Sequence, residues 1–283
     1  MQKPQWITLS VAVLLVFIVY FFGKTIPAKN INKQSNSSEQ LATNDIATDS
    51  ILLMAKKELT SSQLINIRDL EDSLKKNASK KDQQLKIYHQ LAHFWGDTAG
   101  IFEPYAWYEA EAARLENSEK TLSFAARLFL DNLQSDNIDE RRRWKALQAK
   151  DLFERSLIIN PLNDSSKIGL GACYLLGNIS ATPMEGILKI REVAEKDSTN
   201  VYAQIMLAKG AIISGQYDKA IIRLLNANRL EENNIEAILM LADVYDRLRD
   251  KKNAINWYNR GLKYIKLEDA RIDIENRIKE LKK

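Results

Sequence analysis

The chain has 283 residues, 45% of them hydrophobic and 28% charged, which is enough for one or two globular domains with a sizeable core. Ten glycines and five prolines are too few for turn-dense sandwiches, barrels or Gly-rich nucleotide folds, so helices are the expectation. The formal charge of +4 comes without a long like-charge block, so nothing calls for nucleic acid as a partner, and the single cysteine, Cys173, excludes an internal disulfide framework and a Cys-based zinc cluster.

The first element is residues 1–23, in which Trp6 to Phe22, WITLSVAVLLVFIVYFF, carries no charge. A helix of that length rises roughly 25 Å, at the short end of what spans a bilayer. It is too long and lacks the small-residue cleavage site expected of a secretory signal, so the expectation is a retained single-pass anchor, with Trp6 and Tyr20 to Phe22 at interface depth. Lys3 and the α-amino group precede it and Lys24, Lys29 and Lys33 follow it, a narrow margin for a cytoplasmic C-terminal side. Residues 24–45 are rich in Lys, Asn, Ser and Gln and read as a flexible linker. Residues 46–81 read as leading helices, with Leu52, Leu53 and Leu59, a Thr60-Ser61-Ser62 cap signal, and Leu64, Ile67, Leu70 and Leu74 at helical spacing.

From 82 to 267 small and large residues recur in helical register. The clearest instance is Leu207-Ala208, Ala220, Leu224 and Ala227, which recur 34 residues later as Leu241-Ala242, Ala254, Tyr258 and Gly261 without a gap. Small residues at paired positions let the two helices of a hairpin approach closely, and the large ones fill the space between them. Residues 268–283 place Ile274, Ile278 and Leu281 on one helical face, as a helix capping the end of a stack requires.

At these residues the chain resembles tetratricopeptide repeat (TPR) proteins, whose 34-residue helix–turn–helix has large residues at positions 4, 7, 11 and 24 and small ones at 8, 20 and 27. Upstream, Tyr88, Leu91, Ala92 and Trp95 fit a first helix, with Ala106, Ala110 and Ala113 following after a two-residue insertion. Leu122, Ala125, Ala126 and Phe129 fit another, although the loop QSDNIDERRR overshoots before Ala149, Phe153, Ser156 and Pro161 resume the pattern. Leu170, Gly171 and Tyr174, then Gly186, Ile190 and Val193 after a long loop, complete a further repeat. The resemblance implies an all-α solenoid of about five repeats between an N-terminal transmembrane helix and a C-terminal capping helix. It is similar in kind to bacterial single-pass TPR proteins of the envelope, which implies an inner-membrane location with the soluble part in the periplasm.

The residues that carry chemistry elsewhere are sparse. His89 and His93, the only histidines, stand four apart as a metal pair would, but Gln90 replaces the glutamate that a zinc-protease motif needs as base. A metal-dependent hydrolase using this pair is therefore the alternative, and no metal or cofactor is expected. Gly169-Leu170-Gly171 lacks the third glycine and preceding strand of a dinucleotide fingerprint. Arg141-Arg142-Arg143-Trp144-Lys145 reads as a solvated helix start, the aromatic group Phe94, Trp95, Phe102, Tyr105, Trp107 and Tyr108 as core filler, and Cys173 as a buried inert thiol.

In the TPR register, positions 2, 5, 9, 12 and 13 of each first helix face the concave side. The resemblance therefore assigns partner binding to Ile168, Leu175, Leu176, Tyr202, Ile205, Lys209, Ile212 and Ile213. Of the basic and amide residues that clamp a terminal carboxylate in peptide-binding TPR domains, only Lys209 is present. An apolar stripe of this size needs covering, so the expected function is a non-enzymatic scaffold binding a protein or peptide partner.

Overall fold

A computed structural model describes residues 45–179 and 183–283. The expected membrane anchor at 6–22 and all of the linker but Asp45 lie outside the described residues, and among these no helix is long and apolar enough to cross a membrane. Residues 44–283 form one compact unit. Its described residues are helical throughout, joined by short turns. The leading pair is α1 (Thr48–Lys56) and α2 (Ser61–Lys76). Then come α3 (Lys81–His93), a π-helical turn (Phe94–Ala99), α4 (Phe102–Glu116), α5 (Glu119–Leu133), α6 (Asp139–Ile159) and α7 (Asp164–Leu176). They are followed by α8 (Met184–Lys196), α9 (Val201–Ile213), α10 (Tyr217–Leu230), α11 (Ile235–Arg247), α12 (Lys251–Gly261) and α13 (Glu268–Leu281).

Helices α3/α4, α5/α6, α7/α8, α9/α10 and α11/α12 pair as hairpins, and each hairpin packs on the next. The small residues explain why. Ala92 and Ala106, Ala126 and Ala149, Ala208 and Ala220, and Ala242 and Ala254 are all fully buried. In α7/α8 the corresponding residues are Gly171 and Gly186, and the approach is closer still: a Cβ on Gly186 would lie 2.3 Å from the Gly171 carbonyl oxygen. Turn chemistry marks where first helices begin. Asn163, Asn200 and Asn234 each cap one, accepting a hydrogen bond from the backbone N–H of Ser166, Ala203 and Ala237 at 2.8–3.0 Å.

Two departures from a 34-residue period take definite shapes. The two extra residues before Ala106 are absorbed in the π-helical turn, which Gly100 closes with φ +68°. The overshoot before Ala149 becomes extra N-terminal turns of the 21-residue α6, and here the solvated-start expectation for 141–145 fails. Lys145 is only 2% exposed, and its ammonium is held by Asn132 Oδ1, Asp136 Oδ2 and Glu103 Oε1, each at 2.7 Å. Arg141 donates twice to the buried Asp136, at 2.5 and 2.9 Å. Burial alone would push the Asp136 carboxyl up, but hydrogen bonds from Arg141, Lys145 and the Ile138 N–H, with the Lys145 charge, hold it well below the usual carboxylate range. Arg142 pairs within its own helix with Asp139, and the other two residues hold α1 and its approach: Arg143 pairs with Asp45 at 2.5 Å and Trp144 Nε1 donates to Thr48 Oγ1 at 3.0 Å. Beneath these contacts Ile51 and Ala55 of α1 are buried.

The aromatic group behaves as filler. Phe94, Trp95 and Tyr108 are buried with Ile67 and Leu91, and Phe94 meets Trp95 edge-on with centroids 5.7 Å apart. Cys173 is fully buried, and burial pushes its thiol well above the usual value.

Candidate functional site: the groove between the first helices

Because every second helix of a hairpin stack runs in the same sense, α5, α7, α9 and α11 line one face, and the eight stripe residues belong to α7 and α9. Their environments separate them. Ile168 is 0% exposed, Leu175 and Ile205 are buried, and all three sit in the core clusters that join the repeats. They are therefore corrected from partner-binding to core residues. Ile205 packs in the cluster that holds Ala220 and Leu224 of α10 with Ala237 and Leu241 of α11, and Ile168 and Leu175 in the cluster that holds Phe153, Ile190 and Ala203. Arg127 of α5 lies over the Tyr202 ring at 5.6 Å, and Lys209 Nζ donates to Gln134 Oε1, just past α5, at 3.1 Å. Positions that face a partner in an open stack are covered here by neighbouring helices. Tyr202 is half-buried at its surface, and burial pushes its phenol up to about 12 against the opposing charge of Arg127.

The other half of the stripe is brought together. Leu176, Lys209, Ile212 and Ile213 line a cavity of about 320 Å³ that also takes in Gln134, Glu236, Met240, Asp243, Val244 and Arg247. Ile213, the last residue of α9, is 58% exposed, where isoleucine is ordinarily buried. Lys209 is tied to Glu236 at 2.8 Å, and Asp243 accepts a hydrogen bond from the Tyr258 hydroxyl at 2.7 Å. The next acid, Asp246, is held by Arg277 at 2.7 and 2.9 Å. Glu236, Asp243 and Arg247 stand 34 residues after Tyr202, Lys209 and Ile213, so the same repeat register that flagged α9 marks them one repeat later, whereas Met240 and Val244 stand 34 after Met206 and Gly210 and fall outside it. None of residues 45–76 lines the cavity.

The histidines lie apart, on α3. His93 Nδ1 stands 2.8 Å from Asp97 Oδ2, a hydrogen bond that raises the imidazole above its usual value, and His89 Nδ1 stands 3.5 Å from Glu109. Each ring is thus aimed at its own carboxylate. Among the described residues no group of three His, Cys, Asp or Glu side chains is placed to hold a metal ion.

No family model matches the sequence, and no curated protein matches it. Among solved structures, residues 41 to the end of MamA from Desulfovibrio magneticus RS-1 align at 19% identity over 66% of this chain and 96% of that one, with a TM-score of 0.43. YrrB, described as a TPR protein with an unusual peptide-binding site, aligns at 12% identity over 73% of this chain and 97% of that one, TM-score 0.41. Yeast Tom70 aligns at 14% identity over 93% of this chain and 68% of that one, TM-score 0.40. At these identities and scores the likenesses carry nothing about ligand or site, and the helical-hairpin architecture stands on the chain's own repeat and packing.

Proposed function

We propose that this chain is a non-catalytic, membrane-anchored scaffold of TPR type that binds a protein or peptide partner in the groove between α7, α9 and α11 and assists assembly of an envelope protein complex. The observation that carries the reading is the groove itself: Ile213 is left open beside Leu176, Ile212, Met240 and Val244 in a cavity that no other element of the described chain fills. Covering a few such side chains is worth roughly 1.5–3 kcal/mol each before ordering costs, enough for micromolar recognition. In the full chain, Ile213→Ser is expected to lose the partner captured by in-cell crosslinking while the helical circular dichroism signal stays unchanged. Retention of that partner by Ile213→Ser, or its loss on His89→Ala with His93→Ala, overturns the groove as the working surface.

The same reading uses residues 6–22 as the single-pass anchor in a bacterial inner membrane, with the helical stack on the periplasmic side. What supports it is the uncharged seventeen-residue run; the lysine count around that run leans the other way. Protease added to spheroplasts is expected to digest the stack. Protection until the inner membrane is broken would place the stack in the cytoplasm.

A further inference from the structure

The groove's partner can be described chemically from what the groove leaves unsatisfied, on the premise of the groove reading above. Four charged side chains line it. Lys209 and Glu236 neutralise each other, and the exposed Asp243 carboxylate accepts a hydrogen bond from the Tyr258 hydroxyl on α12, which satisfies one oxygen and leaves its charge in place. Arg247, one turn beyond Asp243, makes neither an ion pair nor a hydrogen bond with any described residue. It stands at the end of an apolar wall whose accessible residues are Ile212 and Ile213 of α9 and Met240 of α11, Val244 being fully buried. A guanidinium offers five donors in a planar fork that fits a carboxylate, and such a bond strengthens as a docked segment excludes water. Capture of a chain terminus requires several donors fixed around one carboxylate, whereas among the described residues of this groove one cation is free.

We propose that the groove takes an amphipathic helical segment of a partner that lays an apolar stripe on the α9/α11 wall and sets an acidic side chain, Asp or Glu, on Arg247. The probes are three short, acetylated and amidated helix-forming peptides that share one leucine stripe and differ only in the residues flanking it: Glu, Gln or Lys. Having no free termini, they carry carboxylates on side chains alone. Fluorescence anisotropy with the purified full chain is expected to show the Glu peptide binding at least about tenfold more tightly than the other two, a preference that added salt weakens. Arg247→Gln is expected to erase that preference and leave the Gln peptide's affinity as it was, because the side chain is exposed and outside the apolar wall. Equal binding of all three peptides, or preference for Lys, overturns the acidic-partner inference while leaving the groove standing. Binding that Ile213→Ser leaves untouched overturns the groove reading beneath it.

Discussion

Lys145 shows how a single residue can mislead when read only by type. A lysine in the run Arg141 to Lys145, shortly after Asp139 and Glu140, has every local feature of a solvated helix start, yet its ammonium is enclosed by three oxygens from α4, α5 and the turn before α6. Removing one member of a buried ionic group leaves the remainder uncompensated, so Asp136→Asn is expected to destabilise the chain by about 3–5 kcal/mol in chemical denaturation. The pH dependence follows from the depressed Asp136 carboxyl: its contribution is present above the unfolded carboxylate value, near 3.9, and is lost as pH falls below that through the lower folded value. Urea midpoints measured from pH 7 downward should therefore lose the difference between wild type and Asp136→Asn only under strongly acid conditions. Cys173 was readable from its apolar helix, and as the only thiol it makes a clean reporter. It is expected to resist a thiol reagent in the native chain and to react fully once denatured.

At the scale of the helix, sequence spacing carried most of the information. Paired small residues 34 apart are a consequence of two backbones crossing closely, so Ala208/Ala242 and Ala220/Ala254 announce hairpins by their spacing alone. Gly171 and Gly186 follow the same rule at its limit, since a methyl group on either meets the other's backbone carbonyl oxygen within 2.6 Å. Gly186→Ala is expected to cost roughly 1–3 kcal/mol in thermal or urea unfolding, because backbone and not a flexible side chain must move. The capping asparagines were equally legible, Asn200 and Asn234 lying one period apart, but they draw notice only when turns are read for their hydrogen bonds as well as their composition. The insertions were countable but not interpretable. Two extra residues become a π-helical turn in one hairpin and a longer run becomes added helix in another, and which occurs depends on what the extra residues pack against, here Glu103 of α4 and Thr48 of α1.

At the scale of the whole stack, each helix mainly touches its neighbours in sequence, so stability is expected to be lost from the ends inward. The last helix, α13, is fastened to α11 through the double contact of Arg277 with Asp246. In hydrogen exchange, Arg277→Ala is expected to speed exchange across residues 268–281 and leave α7, buried between its neighbours, unchanged. Uniform acceleration through α7 would mean that the stack opens as one unit.

The sequence by itself determined the helical class, the hairpin period and the face each helix turns inward, because those follow from side-chain size and spacing along one chain. Only the tertiary structure decided how much of the concave stripe is available. Ile168 and Ile205, at position 5 of their repeats, are both buried, while Leu175 shares position 12 with the groove residue Ile212, and nothing local to that position tells the two apart. The burial of Ile168, Leu175 and Ile205 comes from packing between hairpins, Ile205 among residues of α10 and α11, and the stack adds contacts such as Gln134–Lys209 and Arg127–Tyr202 between residues 75 apart in each case. Curvature of a stack is the sum of small rotations between repeats, and a repeat pattern records which faces meet but not the angle at which they do.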